Sequence, residues 1–224
     1  MPFMRSLCVR RSSWTRGACV LALSALALPV AGAQLPGLPV FQNAFANSGF
    51  TIAGNYGRSD DLTAYAAAGA WAPASARFQV SAGIGSLDAD IGESDMAYGG
   101  RVSAGVAQFG GGSFGLAVFG GAGAASDAEL LNLVAGAGLG YRRGLGNAGI
   151  SVFVTPYYLN ARQDVAGETF DTSLIRFGAG VDVSFYKRFG ITVGLDAGGE
   201  ADPGEPGPVG STFGLAVSYA FGVR

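Results

Sequence analysis

Apolar residues alternate with small or polar ones, at a period of two, in ten separate segments of this chain. They are Phe50–Gly57, Thr63–Trp71, Arg77–Gly85, Met96–Phe109, Phe114–Gly123, Leu131–Tyr141, Ile150–Asn160, Ser173–Phe185, Phe189–Ala197 and Ser211–Phe221. Period two places alternate side chains on opposite faces of a strand. One face carries Phe50, Ile52 and Tyr56, then Phe78, Val80 and Ile84, then Ile191, Val193 and Leu195; the other carries Gly, Ala, Ser, Thr, Asn and Gln. Most segments run 8 to 11 residues, close to the roughly 9–11 that a tilted strand needs to cross a bilayer. Beyond residue 33 the longest uncharged run, Val102–Ser126, holds eight glycines in 25 residues, with Gly110-Gly111-Gly112 at its middle. Each glycine costs about 1 kcal/mol in a helix, so the run reads as two strands around a turn.

The connections separate a transmembrane barrel from a soluble β-sandwich. Taken in order, the odd ones have 5, 10, 7, 12 and 13 residues and the even ones 5, 4, 8 and 3. The odd set holds Asp60, Asp61, Asp88, Asp90, Glu93, Asp95, Asp127, Glu129, Asp164, Glu168, Asp171, Glu200, Asp202 and Glu205 against only Arg58 and Arg162. The even set holds Arg142, Arg143, Lys187 and Arg188 and no acid. An up-and-down topology puts all odd connections at one end and all even ones at the other. Long acidic loops opposite short basic turns are the expected polarity of an outer-membrane barrel. The reading is therefore all-β: an antiparallel up-and-down transmembrane β-barrel of ten strands over residues 50–221.

The last segment supports it. Phe213, Leu215, Val217, Tyr219 and Phe221 alternate with Thr212, Gly214, Ala216, Ser218 and Ala220, and Gly222-Val223-Arg224 follow. This resembles the terminal strand of bacterial outer-membrane proteins. As an architecture, the stretch after the leader resembles the small OmpA/OmpX-like barrel domain. The resemblance implies outer-membrane lipid and lipopolysaccharide as surroundings, and recognition of the C-terminal strand by the barrel-assembly machinery.

The first 33 residues look like a secretory signal. Arg5, Arg10, Arg11 and Arg16 precede an apolar core at Ala18–Leu28, and Ala31-Gly32-Ala33 offers a cleavage site before Gln34. Eleven apolar residues are too few for a membrane helix. Removal of this segment takes both cysteines, Cys8 and Cys19, and four arginines, leaving a net charge of −6 and no possible disulfide. Residues 34–49, with Pro36 and Pro39, should lack regular structure and lie at the basic-turn end or inside the lumen.

Candidate chemistry is sparse. The chain has no histidine and only 13% charged residues, which argues against triad hydrolases, most zinc sites and nucleic-acid binding. Gly144-Leu145-Gly146-Asn147-Ala148-Gly149 spells a dinucleotide fingerprint, yet a strand pattern follows it where a helix is required. The cluster Asp88, Asp90, Glu93, Asp95 lacks the EF-hand spacing and reads as a solvated loop. No catalytic residue, metal or cofactor is expected.

Parity turns Gln79, Arg101, Arg176, Asp182 and Asp196 toward the lumen. The short turn Tyr186–Arg188 sets Asp196 opposite Gly178, one diagonal step from Arg176, which predicts an Arg176–Asp196 pair. Arg101 is expected to approach Asp182 or Asp196 from the opposite wall. Two aqueous-facing functions stay open: a structural surface protein or narrow passive pore, and a binding or adhesion module working through its acidic loops. Tyr56, Tyr65, Trp71, Tyr98, Tyr141, Tyr157, Tyr158 and Tyr219 are expected at interfacial girdles, and Pro156 should produce a bulge or local fraying.

Overall fold

A computed structural model describes Leu38 and residues 43–60, 62–75, 77–89, 94–126, 129–165 and 167–221. Residues 1–33, read above as a leader, lie outside it, as do Asp61, Asp90, Glu93 and Asp127. Ten antiparallel strands are described: β1 (Gly49–Arg58), β2 (Leu62–Ala72), β3 (Phe78–Ala89), β4 (Ser94–Phe109), β5 (Phe114–Ala125), β6 (Leu130–Leu145), β7 (Ala148–Val165), β8 (Glu168–Phe185), β9 (Phe189–Gly198) and β10 (Thr212–Phe221). Each pairs with its sequence neighbours, and β1 pairs with β10 from Phe50↔Phe221 to Arg58↔Phe213, so the sheet closes. Closure pairs the two edge strands, which would otherwise present unpaired N–H and C=O groups.

The face that a water-soluble protein would bury points outward here. Ile52, Ile84, Val102, Leu133, Ile175, Leu195 and Val217 are all exposed on the barrel wall. Aromatic pairs gather near the turn end. Phe50 lies 6.2 Å from Phe221, Trp71 5.7 Å from Phe78, Phe109 stacks on Phe114 at 5.4 Å, and Tyr219 meets both Phe189 and Phe221. At the opposite end Tyr56 packs on Tyr65 at 5.5 Å. Tyr157 departs from the expected girdle: it is buried inside the barrel. Its neighbour Tyr158 takes the outward position, since adjacent strand residues must point opposite ways.

The loop-length asymmetry expected from the sequence largely disappears. Connections at the acidic end span 59–61, 90–93, 126–129, 166–167 and 199–211, and those at the other end 73–77, 110–113, 146–147 and 186–188. Polar residues assigned to loops instead continue the strands; β7 and β8 run 18 residues each and meet across two. Backbone pairing persists where the apolar alternation fades, because pairing needs no apolar side chain. The charge asymmetry survives, with Asp60, Asp164, Glu168, Asp171, Glu200, Asp202 and Glu205 all exposed at the acidic end. The glycine-rich fingerprint forms the β6–β7 hairpin, with Gly146 at φ 65° in a two-residue turn.

Pro156 faces outward and makes no bulge. Pairing to β8 is continuous through Pro156↔Phe177, whereas the β6 ladder skips from Gly136↔Tyr157 to Leu139↔Val154 without a register change. The fraying is one-sided, as a missing N–H requires. The bulge lies elsewhere, at Val106, where the β4–β5 register shifts between Gly105 and Ala107.

The lumen is lined unevenly. β2 points Ala64, Ala66, Ala68 and Ala70 inward, and β10 points Gly214, Ala216 and Ser218 inward. The opposite wall supplies Phe119, Val134, Phe153, Tyr157 and Leu159, all buried. Gly136 makes room for that wall: a Cβ there would lie 2.6 Å from the Pro156 carbonyl oxygen and 2.7 Å from the Phe119 ring. A backbone carbonyl cannot swing aside, so Gly136→Ala is expected to lower unfolding stability by about 1–3 kcal/mol through overpacking. Equilibrium denaturation of the refolded barrel measures this, and an unchanged midpoint would mean the wall relaxes freely.

Candidate functional site

Two sets of contacts occupy the lumen. The outer set is built on Arg176 and Asp196, both fully buried. The three-residue turn 186–188 fixes Phe185↔Phe189 and, up the ladder, Gly178↔Asp196 and Arg176↔Gly198. Arg176 Nε donates to Asp196 Oδ2 at 3.2 Å, and the Tyr157 hydroxyl donates to the same oxygen at 2.6 Å. The guanidinium then donates from Nη1 to the Gly199 carbonyl at 2.6 Å and from Nη2 to the Gly210 carbonyl at 3.0 Å. Those carbonyls lie near the two ends of the connection 199–211, so one side chain fastens both feet of the longest loop.

That loop folds inward as a lid. Ala201, Pro206 and Pro208 are buried, Ala201 N–H donates to the Pro208 carbonyl at 3.1 Å, and Thr172 Oγ1 donates to Glu205 Oε2 at 3.0 Å. Two apolar clusters lie within the barrel. Leu62, Leu87, Ala97, Ala125 and Leu130 form one. Phe119, Val134, Tyr157 and Leu159 form the other with Leu38, and Ala68 and Leu174 pack against it. Ala68 sits on β2 and Tyr157 on β7, five strands apart in a ten-strand ring, so this cluster bridges the lumen.

The inner set holds the N-terminal strap, Asn43–Ser48, which has no strand structure and leads into β1. Three strands offer it an aligned row, because Arg142↔Ser151 and Ser151↔Asp182 are cross-strand partners. Asn43 Nδ2 donates to Ser151 Oγ at 2.6 Å and to Asp182 Oδ2 at 3.5 Å. Asp182 Oδ1 accepts from Thr192 Oγ1 at 3.3 Å. The Phe45 ring lies against Gly115 and Gly140, themselves cross-strand partners, and a Cβ on either would come within 3.0 Å of it. The Arg142 guanidinium sits 4.4 Å from the ring centroid, a cation–π geometry, while its Nε donates to the Gly112 carbonyl at 3.0 Å. Beside the strap a polar cavity of about 460 Å³ opens at the turn end, lined by Asn43, Asn47, Arg142, Ser151, Asp182 and Ser184 among others.

All four charges read as inward-facing lie inside. Arg176 and Asp196 meet, which is closer than the diagonal step implied. Asp182 meets the strap and β9. Arg101 is buried on β4 beside Ser81, whose hydroxyl donates to the Arg101 carbonyl at 3.3 Å. Gln79 pairs with Ser103 in the ladder. Sequence reasoning missed Tyr157, Asn43 and Phe45. For Tyr157 the signal was present, since Tyr157 and Tyr158 cannot both face out. Among the described residues no group of three or more Asp or Glu side chains is placed to hold a metal ion.

No protein-family profile and no curated protein matches the chain. Among solved structures, it is similar to Neisserial surface protein A at 15% identity, covering 79% of this chain and 99% of that one with a TM-score of 0.41. The N-terminal β-barrel domain of Pseudomonas aeruginosa OprF gives 12% identity, 79% and 100% coverage and a TM-score of 0.36. A KdgM porin in complex with disordered oligogalacturonate gives 12%, 76%, 99% and 0.41. The fold assignment rests on the strand pairing and closure of the chain itself.

The buried pair sets a direct energetic test. Removing one partner leaves the other charge buried and unpaired, at about 3–5 kcal/mol. Arg176→Ala and Asp196→Ala should each destabilise the barrel, and the double variant should cost less than the two singles together. Strict additivity in denaturant titrations would contradict a coupled pair.

Proposed function

We propose that this protein is an outer-membrane barrel with a sealed lumen, serving a structural and surface role rather than passage of solutes. The observation that carries this reading is the pairing of an apolar exterior with a filled interior. Hydrocarbon suits the outward Ile, Leu, Val and Phe belt, and closure leaves no strand edge for lipid to contact. Inside, the lid fastened by Arg176 and the cluster containing Leu38 and Tyr157 occupy the section a permeating solute would need. A narrow passive pore is the reading that this filling disfavours.

Orientation follows from charge and connection. In this proposal the acidic end faces the cell surface and the basic-turn end faces the periplasm, the polarity of bacterial barrels. The exposed acids there would couple through divalent cations to lipopolysaccharide phosphates, and β10, ending at Phe221, would present the C-terminal pattern to the barrel-assembly machinery. An adhesion module working through long loops has less support, because four of the five acidic-end connections span only two to four residues.

Purified barrel reconstituted in a planar bilayer should show no stepwise conductance, while unheated and boiled samples migrate differently in SDS gels. Discrete channel openings from heat-shifting, folded protein would contradict the sealed lumen. Identical migration together with recovery in the soluble periplasmic fraction would contradict the membrane barrel itself.

A further inference from the structure

The polar cavity at the turn end is built around an arginine held in one place. Arg142 is exposed, yet three contacts fix it. Its guanidinium lies 4.4 Å from the Phe45 ring centroid, its Nε donates to the Gly112 carbonyl at 3.0 Å, and its backbone N–H donates to the Ser113 carbonyl at 2.7 Å. The Gly112 carbonyl comes from a turn that only glycines make easily, since Gly110, Gly111 and Gly112 have φ of 61°, 67° and 86°. Among the described residues, nothing accepts from the two terminal nitrogens of Arg142. That uncommitted edge of the guanidinium is the fork that meets two oxygens of a carboxylate or phosphate side by side.

The rest of the lining narrows the ligand. Arg143 also lines the cavity, and two guanidiniums match the nearly double negative charge of a phosphate monoester better than the single charge of a carboxylate. Asp182 stands on the same cross-strand row, through Arg142↔Ser151 and Ser151↔Asp182. Two strand spacings, roughly 10 Å, separate the two backbones. Each Asp182 oxygen accepts one hydrogen bond, from Asn43 or from Thr192, and a carboxylate oxygen has room for a second. Ser113, Ser151 and Ser184 add hydroxyls to the wall. The cavity thus offers an anion fork at one pole and acceptors for hydroxyl groups at the other. We propose that it binds a sugar phosphate, with the phosphate on Arg142 and Arg143 and the sugar hydroxyls toward Asp182 and the serines. Its volume of about 460 Å³ lies within the range of small-molecule pockets. Arg77, Lys187 and Arg188, exposed at the same end, draw anions toward the mouth. The site goes beyond the sealed-lumen reading and does not depend on it.

Gly144 gives a way to fill the cavity while sparing its walls. It lines the cavity, has ordinary strand geometry, and a Cβ there would meet nothing within 4 Å. Packing therefore does not demand a glycine at this position, and Gly144→Leu occupies the ligand's space without displacing Arg142.

Calorimetric titration with glucose 6-phosphate tests this on protein purified from membranes in a nonionic detergent, at about 0.15 M salt, where distant charges are screened. One molecule should bind per barrel, saturably, and glucose should not bind. Inorganic phosphate, which lacks the sugar hydroxyls, should bind at least about tenfold more weakly. Arg142→Lys keeps the charge but loses the fork; it and Gly144→Leu should each weaken binding by at least about tenfold while the barrel still shifts with heating in SDS gels. Lys187→Gln combined with Arg188→Gln removes two exposed charges from the same end, outside the lining, and should change affinity by less than about twofold. Should Arg142→Lys fail to fold, Gly144→Leu carries the test. Folded, heat-shifting protein that gives no saturable signal would overturn the site. So would undiminished binding by Gly144→Leu, or an equal loss in the Lys187 and Arg188 variant. A phospholipid headgroup shares the phosphate chemistry, but the lining faces the lumen, which favours a free ester. Affinity should therefore be the same in phosphatidylglycerol and phosphatidylcholine bilayers; competition by phosphatidylglycerol would overturn the free sugar phosphate and give the fork to a lipid.

Discussion

Closure of β1 onto β10 is the constraint from which the other features follow. A chain that turns its apolar residues outward has no large interior core against which sheets can pack, and no disulfide is available after residue 33. An open sheet would leave two edge strands with unpaired backbone groups, which hydrocarbon does not satisfy. Once the ring is closed, every outward position faces one environment and every inward position another. The alternation then propagates round all ten strands, and a slip of one residue anywhere would invert it.

Closure creates a second problem, because a ten-strand ring encloses space. This protein fills it asymmetrically. Small residues on β2 and β10 face large ones on β5 to β8, and Leu38 from the N-terminal region completes the packing. Polar groups that enter this interior must bring partners. Arg176 and Tyr157 both donate to Asp196, Arg176 also binds the lid, and Asp182 and Ser151 hold Asn43. The same hydrogen bonds that compensate buried charge also tie the connection 199–211 to the barrel wall.

Strand number, topology and the Arg176–Asp196 contact were legible in the sequence because each depends on local information. A turn of three residues fixes the register of its hairpin, and register fixes which side chains meet. Strand ends were misjudged for the converse reason: β7 and β8 continue as a paired ribbon past the point where apolar alternation stops marking them. The seat of Phe45 was illegible because it requires Gly115 and Gly140, from different strands, to lie side by side beneath a ring supplied by a third segment. Tyr157 was misplaced by weighing residue type above parity, an error that its neighbour Tyr158 would have exposed.

The proposed barrel crosses the membrane with its acidic end outside. Cysteines placed singly at Asp202, in the acidic-end lid, and at Asn147, in a two-residue turn at the other end, test this in intact cells. A membrane-impermeant maleimide should label Asp202→Cys directly and Asn147→Cys only after the outer membrane is permeabilised. Protection of both sites in intact cells, or labelling of Asn147→Cys alone, would contradict it.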